Sequence, residues 1–83
     1  MKLHLKYFAM VREDIGRGAE EATSSAATVG ALRDELITRG GGYAQSLARG
    51  RAIRLSLNKT MCEESAPLKE GDEVAFFPPV TGG

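Results

Sequence analysis

The sequence is poor in the side chains that carry catalysis. It has one histidine (His4), one cysteine (Cys62) and no tryptophan. A single cysteine cannot form an internal disulfide, so we expect a reducing compartment, most simply the cytoplasm. The two residues do not complete a zinc ligand set, and we expect no metal site and no conventional enzyme. Their sequence context predicts a solvent-facing strand residue for His4 and a half-buried, hydrophobe-like Cys62.

Net charge and long hydrophobic runs are absent as well. Lys plus Arg number 11 and Asp plus Glu number 11, so the formal net charge is zero. Without a basic excess, the chain lacks the electrostatic signature of a nucleic-acid binder and of a polybasic membrane binder. No apolar run approaches the roughly 20 residues of a membrane-spanning helix, and residues 1–6 do not resemble a signal peptide. We therefore expect neither nucleic acid nor a membrane as a partner.

The composition is that of a small globular domain. The 83 residues are 42% hydrophobic, enough for one modest core. We expect a single domain over residues 1–83, with residues 78–83 forming a tail.

Alternation of apolar and polar residues, which is typical of strands, is the most frequent pattern in the chain. Leu3, Leu5 and Tyr7 alternate with polar residues, which predicts a half-buried strand over residues 3–8. The further elements expected are a loop at 12–18, a weak strand at 20–25, a helical turn at 43–48, a strand at 53–57, a turn at Asn58-Lys59, a return strand at 60–62, a loop at 67–72 and a last strand at 73–77.

One main helix is expected between these strands. Thr28 is a good N-cap, an apolar stripe with helical spacing runs over residues 29–37, and the glycines at 40–42 would end the helix. Gly30 is unfavourable near the start of this helix, since glycine costs up to ~1 kcal/mol relative to alanine in a helix interior. The residues expected on the solvent side of this helix are Arg33, Asp34, Glu35 and Arg39.

The order strand, strand, helix and three strands fits an α+β fold, the β-grasp or ubiquitin-like roll. One mixed sheet would carry the main helix across one face. The expected core is Leu3, Leu5, Tyr7, Val29, Leu32, Leu36, Ile37, Ile53, Leu55, Leu57, Leu68, Val74 and Phe76.

Two aromatic residues, Phe8 and Phe77, occupy positions of the first and last strands where the alternation would place an outward-facing polar side chain. If Val74 and Phe76 face the core, then Ala75 and Phe77 face outward, and Phe8 falls on the outer side of the first strand. The first and last strands of a β-grasp are neighbours. Phe8, Ala75 and Phe77 would then form an exposed apolar patch that binds a partner protein.

The last six residues form an unusual tail. Pro78 and Pro79 cannot continue a strand ladder and stiffen an extended exit from the sheet. The four residues after them reach at most ~13–14 Å, and Gly82-Gly83 is slim enough to enter a narrow channel. A free carboxylate is a poor electrophile, but adenylation with ATP by a partner enzyme would activate it.

The chain resembles the small, sulfur-carrier subunits of molybdopterin synthase, a ubiquitin-like family. The most specific motif for this family is formed by residues 71–83, GDEVAFFPPVTGG. Supporting similarity is found in Tyr7-Phe8-Ala9, Val11-Arg12-Glu13, Thr28-Val29, Ala31-Leu32-Arg33 and Leu57-Asn58-Lys59. The resemblance covers essentially the whole chain.

The resemblance implies a carrier that is not catalytic alone and binds no cofactor. Gly83 would be adenylated by an E1-like enzyme that uses ATP, and a sulfur donor protein would convert it to a thiocarboxylate (1-thioglycine). The carrier would sit in a heterotetramer with the large synthase subunit, which holds the active site. The sulfur would pass to cyclic pyranopterin monophosphate and build the dithiolene of molybdopterin.

The resemblance also implies roles for individual residues. Gly82 would keep the tail slim in the partner's channel. Phe8 and Phe77 would face the partner, and Arg12 would make a polar contact with it. The residues that would guide the tail are Pro78, Pro79, Val80 and Thr81.

Two other functions share these features. A sibling carrier could serve thiamin, cysteine or tRNA thiolation with the same tail chemistry and a different acceptor. A ubiquitin-like tag or adaptor would form isopeptide bonds through Gly83, or would only dock, and would never hold sulfur.

Overall fold

The computed structural model describes residues 1–79. Its helices and strands, in chain order, are β1 (Lys2–Tyr7), α1 (Ala9–Ile15), β2 (Ala19–Thr23), α2 (Val29–Ile37), α3 (Gly41–Leu47), β3 (Arg54–Leu57), β4 (Thr60–Cys62) and β5 (Glu73–Phe77).

The strands form one mixed sheet in the order β2-β1-β5-β3-β4. β1 and β5 pair in parallel at its centre, and the other neighbours are antiparallel. Asn58 and Lys59 both have positive φ, as the two-residue turn between β3 and β4 requires. The expected β-grasp fold is thus confirmed, with the main helix α2 beside the sheet.

The core lies between the sheet and the helices. Of the expected core, Ile37, Ile53 and Leu57 are only half-buried and pack against the rest, which is buried. The helical turn expected at 43–48 is α3, and its last residue, Leu47, is fully buried. Val11, which was not among the expected core residues, is buried too.

The prediction of a loop at residues 12–18 is wrong over most of that range. α1 covers residues 9–15 and packs Val11 and Ile15, one helical turn apart, against the core. Gly16 ends it with φ 92°, a left-handed conformation that glycine adopts without steric cost. The second strand exists as predicted but begins and ends earlier, at Ala19 and Thr23.

Arg33 was expected on the solvent side of α2, and this expectation is wrong. The residue is 3% exposed, and its guanidinium donates to the carbonyls of Leu47, Ala48 and Arg51 at 2.8–3.0 Å. Its Nη1 donates to a Glu64 carboxylate oxygen at 2.9 Å. Arg33 therefore satisfies backbone groups that the α3–β3 connection leaves unpaired, and its buried charge is compensated by Glu64.

A close contact explains why glycine stands at position 30. The Gly30 N–H donates to the Glu64 carbonyl at 2.8 Å. A Cβ atom built on Gly30 would lie 2.9 Å from the Glu64 Cβ. The cost of glycine in this helix is thus offset by the approach of the segment after β4.

Gly42 allows α1 and α3 to touch. The three glycines at 40–42 were expected to end the main helix, and Gly40 and Gly41, with positive φ, do turn the chain there. Gly42 lies inside α3, where an added Cβ would stand 1.9 Å from the Asp14 carbonyl oxygen. No side chain fits at that distance.

We expect Gly42→Ala to lower the free energy of unfolding by about 1–3 kcal/mol, because α1 and α3 must separate to admit the methyl group. Gly50→Ala is the matched control, since a Cβ there meets nothing within 4 Å. It should change stability by less than ~0.5 kcal/mol. Urea unfolding of both variants checks this, and equal midpoint shifts would contradict it.

Candidate functional site: the tail-root groove

Phe8 and Phe77 stack on each other at the point where the chain leaves the sheet. Their ring centroids are 4.7 Å apart and the rings are inclined by only 4°. The spacing equals the distance between paired strands, about 4.7–4.9 Å, because Tyr7 pairs with Phe76 and the next residues are aligned. Phe8 is 41% exposed. The expected outward direction of both rings is confirmed, and Phe77 is half-buried.

A strained turn directs the chain at this site. Ala9 has φ 51°, in the left-handed region that residues with a Cβ rarely adopt. The turn lets α1 begin immediately after β1, while the Phe8 N–H still donates to the Phe76 carbonyl at 3.1 Å. Phe8 therefore keeps a strand-like position beside Phe77 although a helix follows it.

The stacked rings form one wall of a shallow, mostly apolar depression, which we call the tail-root groove. Met61 stands out among its other lining residues, because it is 52% exposed. The complete lining is Phe8, Ala9, Arg54, Met61, Phe77, Pro78 and Pro79. The two prolines take the chain directly from the last strand along this surface.

Met61 and Arg54 were not among the predicted partner-binding residues. The signal for Met61 was present, because the two-residue turn at Asn58-Lys59 fixes the register of β3 on β4 and pairs Ser56 with Met61. Arg54 lies opposite Phe77 through the separate pairing of β3 with β5, whose register this turn does not set. An outward Ser56 thus requires an outward Met61.

Ala75 does not belong to the exposed patch, contrary to expectation. It faces outward but is only 3% exposed. Its neighbours across the sheet are Lys6 on β1 and Ser56 on β3. The longer side chains around this small residue cover it, so Ala75 forms the floor of the surface between Phe77 and Met61.

The remaining predicted site residues divide into two groups. Arg12 is exposed on α1 and its guanidinium lies against Gly18, where an added Cβ would be 3.1 Å from Nε. Its contact with a partner stays a prediction. The tail residues for which the sequence predicts the central chemistry, Val80, Thr81, Gly82 and Gly83, lie outside the described residues.

The two side chains that could act as nucleophile or base lie where the sequence predicted. His4 is exposed, with Nδ1 at 3.7 Å from a Glu21 carboxylate oxygen. Cys62 is half-buried, and burial, with a smaller effect of the Glu63 charge, raises the pKa of its thiol. A raised pKa favours the unreactive thiol over the thiolate.

Over residues 1–79, none of the helices is both long and apolar enough to cross a membrane.

Comparison with known proteins points to one family. Residues 5–83 match the ThiS family. The chain is 43% identical over 77 residues to the molybdopterin synthase sulfur carrier subunit of Escherichia coli K12, covering 93% of this chain and 94% of that protein.

Two solved structures share the fold. One is the small archaeal modifier protein 1 of Haloferax volcanii, with a TM-score of 0.77, 26% identity and full coverage of both chains. The other comes from a complex of subunits 1 and 2 of the molybdopterin-converting factor of Helicobacter pylori, with a TM-score of 0.70, 24% identity and full coverage of both chains.

The strained turn at Ala9 generates a stability prediction. We expect Ala9→Gly to leave the free energy of unfolding unchanged or to raise it by up to ~1 kcal/mol, because glycine adopts positive φ without strain. Ala31→Gly is the control on an exposed, regular position of α2 and should cost up to ~1 kcal/mol. Chemical denaturation distinguishes them, and an equal loss in both variants would show that the Ala9 backbone is not strained.

Proposed function

We propose, because the chain belongs to the ThiS family, that it is the sulfur-carrier subunit of molybdopterin synthase. The observation that carries the proposal is the 43% identity to a molybdopterin synthase sulfur carrier subunit along nearly the whole chain. The position of the tail supports it. Pro78 and Pro79 leave the centre of the sheet beside the stacked rings of Phe8 and Phe77, so a partner that binds the groove also receives the tail.

The chemistry we propose takes place at the Gly83 carboxylate. An E1-like enzyme joins this carboxylate to AMP from ATP and releases pyrophosphate. The terminal sulfur of a persulfide on a donor protein then attacks the acyl carbon and expels AMP, which leaves an acyl disulfide. A thiol cleaves the S–S bond, is itself oxidised to a disulfide, and leaves the Gly83 thiocarboxylate.

In this proposal the acceptor chemistry belongs to the large synthase subunit. Two carriers and two large subunits form a heterotetramer, and each tail enters the active site of a large subunit. There the thiocarboxylate sulfur displaces an oxygen substituent on a carbon of cyclic pyranopterin monophosphate. Water then cleaves the resulting thioester, which returns the Gly83 carboxylate and leaves one sulfur of the molybdopterin dithiolene on the acceptor. The carrier binds no cofactor itself, since ATP is used by the activating enzyme.

The structure of the described residues suits a carrier. Adenylation and sulfur transfer are both catalysed by partners, so this chain has to supply a reactive terminus and a docking surface. The half-buried Cys62, with its raised pKa, is consistent with a protein that works in the reducing cytoplasm without competing for the persulfide.

The fold shared with an archaeal modifier protein favours one alternative function, that of a ubiquitin-like modifier. A ubiquitin-like modifier would use the same adenylated Gly83 but would transfer the acyl group to a lysine amine and form an isopeptide bond. Sulfur bound at Gly83 and conjugates to lysine therefore distinguish the two functions directly.

We expect removal of Gly83, or addition of one residue after it, to abolish molybdopterin formation in a reconstituted synthase. The reacting carbonyl would then stand one residue short of, or beyond, its place in the partner's channel. The melting temperature should stay unchanged, because residues 1–79 form the folded domain. A carrier extended by one residue that remains untrimmed and still supports synthesis would contradict the mechanism.

We expect Phe8→Ala to weaken binding to the large subunit by about tenfold or more, since exposed aromatic residues at the centre of an interface carry much of the binding free energy. Met10→Ala is the matched control, because Met10 is 54% exposed and lies outside the groove lining. It should change the Kd less than about twofold. Calorimetric titration measures both, and equal losses would exclude the groove as the docking site.

A further inference from the structure

Cations surround the apolar residues of the outer sheet face near the tail root. Arg54 lines the tail-root groove beside Phe77. Lys59 and Lys6 line the adjoining depression, whose floor is Ala75. We call Arg54 and Lys59 the basic rim.

Within residues 1–79, the two residues of the basic rim have no acidic partner, unlike several other arginines of the chain. Arg33, Arg39 and Arg49 each form ion pairs on the helix side. Within residues 1–79, no carboxylate oxygen lies within 4.0 Å of a charged nitrogen of Arg54 or Lys59.

The acids nearest to the rim do not neutralise it. Glu73 lines the same depression as Lys59, but it pairs with Lys6 at 3.8 Å. Glu63 is the first residue after β4 and lines a depression together with Arg54, but the two side chains form no ion pair. Within residues 1–79, the rim thus presents two unpaired positive charges, Arg54 in register with Phe77 and Lys59 in the turn that precedes Met61.

We propose that Arg54 and Lys59 pair with carboxylates of the large synthase subunit when the tail-root groove docks on it. This inference rests on the proposed function and adds the chemistry of the partner's surface, which must be apolar at its centre and acidic at two places on its edge. The chain has no net charge to direct its approach, so local charges decide its orientation. Two cations beside an apolar centre fix the rotation of the carrier, and hence the direction in which Pro78 and Pro79 lead the tail.

The test compares two variants with the same loss of charge. Arg54→Gln/Lys59→Gln removes the rim, and Arg51→Gln/Lys69→Gln removes two cations that also lack ion pairs within residues 1–79 but line neither depression of the outer face. Each is titrated into purified large subunit at about 0.05 M and about 0.5 M NaCl, because exposed charge pairs are screened at high salt.

We expect the rim variant to bind about five- to tenfold more weakly than the wild type at low salt, and within about twofold of it at high salt. The control variant should match the wild type at both salt concentrations. Equal behaviour of the rim and control variants would overturn the inference.

Thiocarboxylate formation in the wild type, followed by mass spectrometry, tests the proposed function separately. A wild type that takes up sulfur and binds the large subunit, with a rim variant that binds equally well, would refute the basic rim alone. A wild type that neither takes up sulfur nor binds would refute both.

Discussion

The parallel pairing of β1 with β5 is the constraint on which the rest of the molecule depends. It joins the first strand of the chain to the last one at the centre of the sheet, with antiparallel strands on both sides. In this pairing Leu5 lies beside Val74, and Tyr7 lies beside Phe76. All four side chains point into the core and are buried. The next residues, Phe8 and Phe77, then have to stand side by side on the outer face. The root of the tail is therefore held by the most enclosed strand of the fold.

Polar contacts on the other side of the sheet hold the connecting segments to this centre. Arg33 binds three carbonyls of the α3–β3 connection, and Glu64 balances its charge. Glu20 accepts hydrogen bonds from the hydroxyls of Tyr7 and Tyr43. Burial opposes its ionisation, but these bonds, with those from Arg39, outweigh burial and lower the pKa of Glu20. These side chains fix connecting segments on the helix side of the sheet, whereas Asn58 and Asp72 join the β3–β4 turn to the start of β5.

Much of this arrangement could be predicted from the sequence because strand alternation is a local signal. The inward and outward residues of the first and last strands follow from their spacing, and the turn at Asn58-Lys59 sets the hairpin. Three features depended on distant neighbours and were missed. α1 is a short helix held by the burial of Val11, Arg33 is buried because unpaired carbonyls of a remote segment surround it, and Ala75 is covered by residues of two adjacent strands. Periodicity along one segment contains no information about such neighbours.

The most direct test of the account is intact-protein mass spectrometry of the chain after incubation with an E1-like activating enzyme, ATP and a persulfide donor. A sulfur carrier should gain the mass that corresponds to the replacement of one oxygen by sulfur, and a variant that lacks Gly83 should show no such gain. No gain, with an activating enzyme that is competent on another carrier, would contradict the sulfur-carrier function. A search for isopeptide conjugates of Gly83 would then follow.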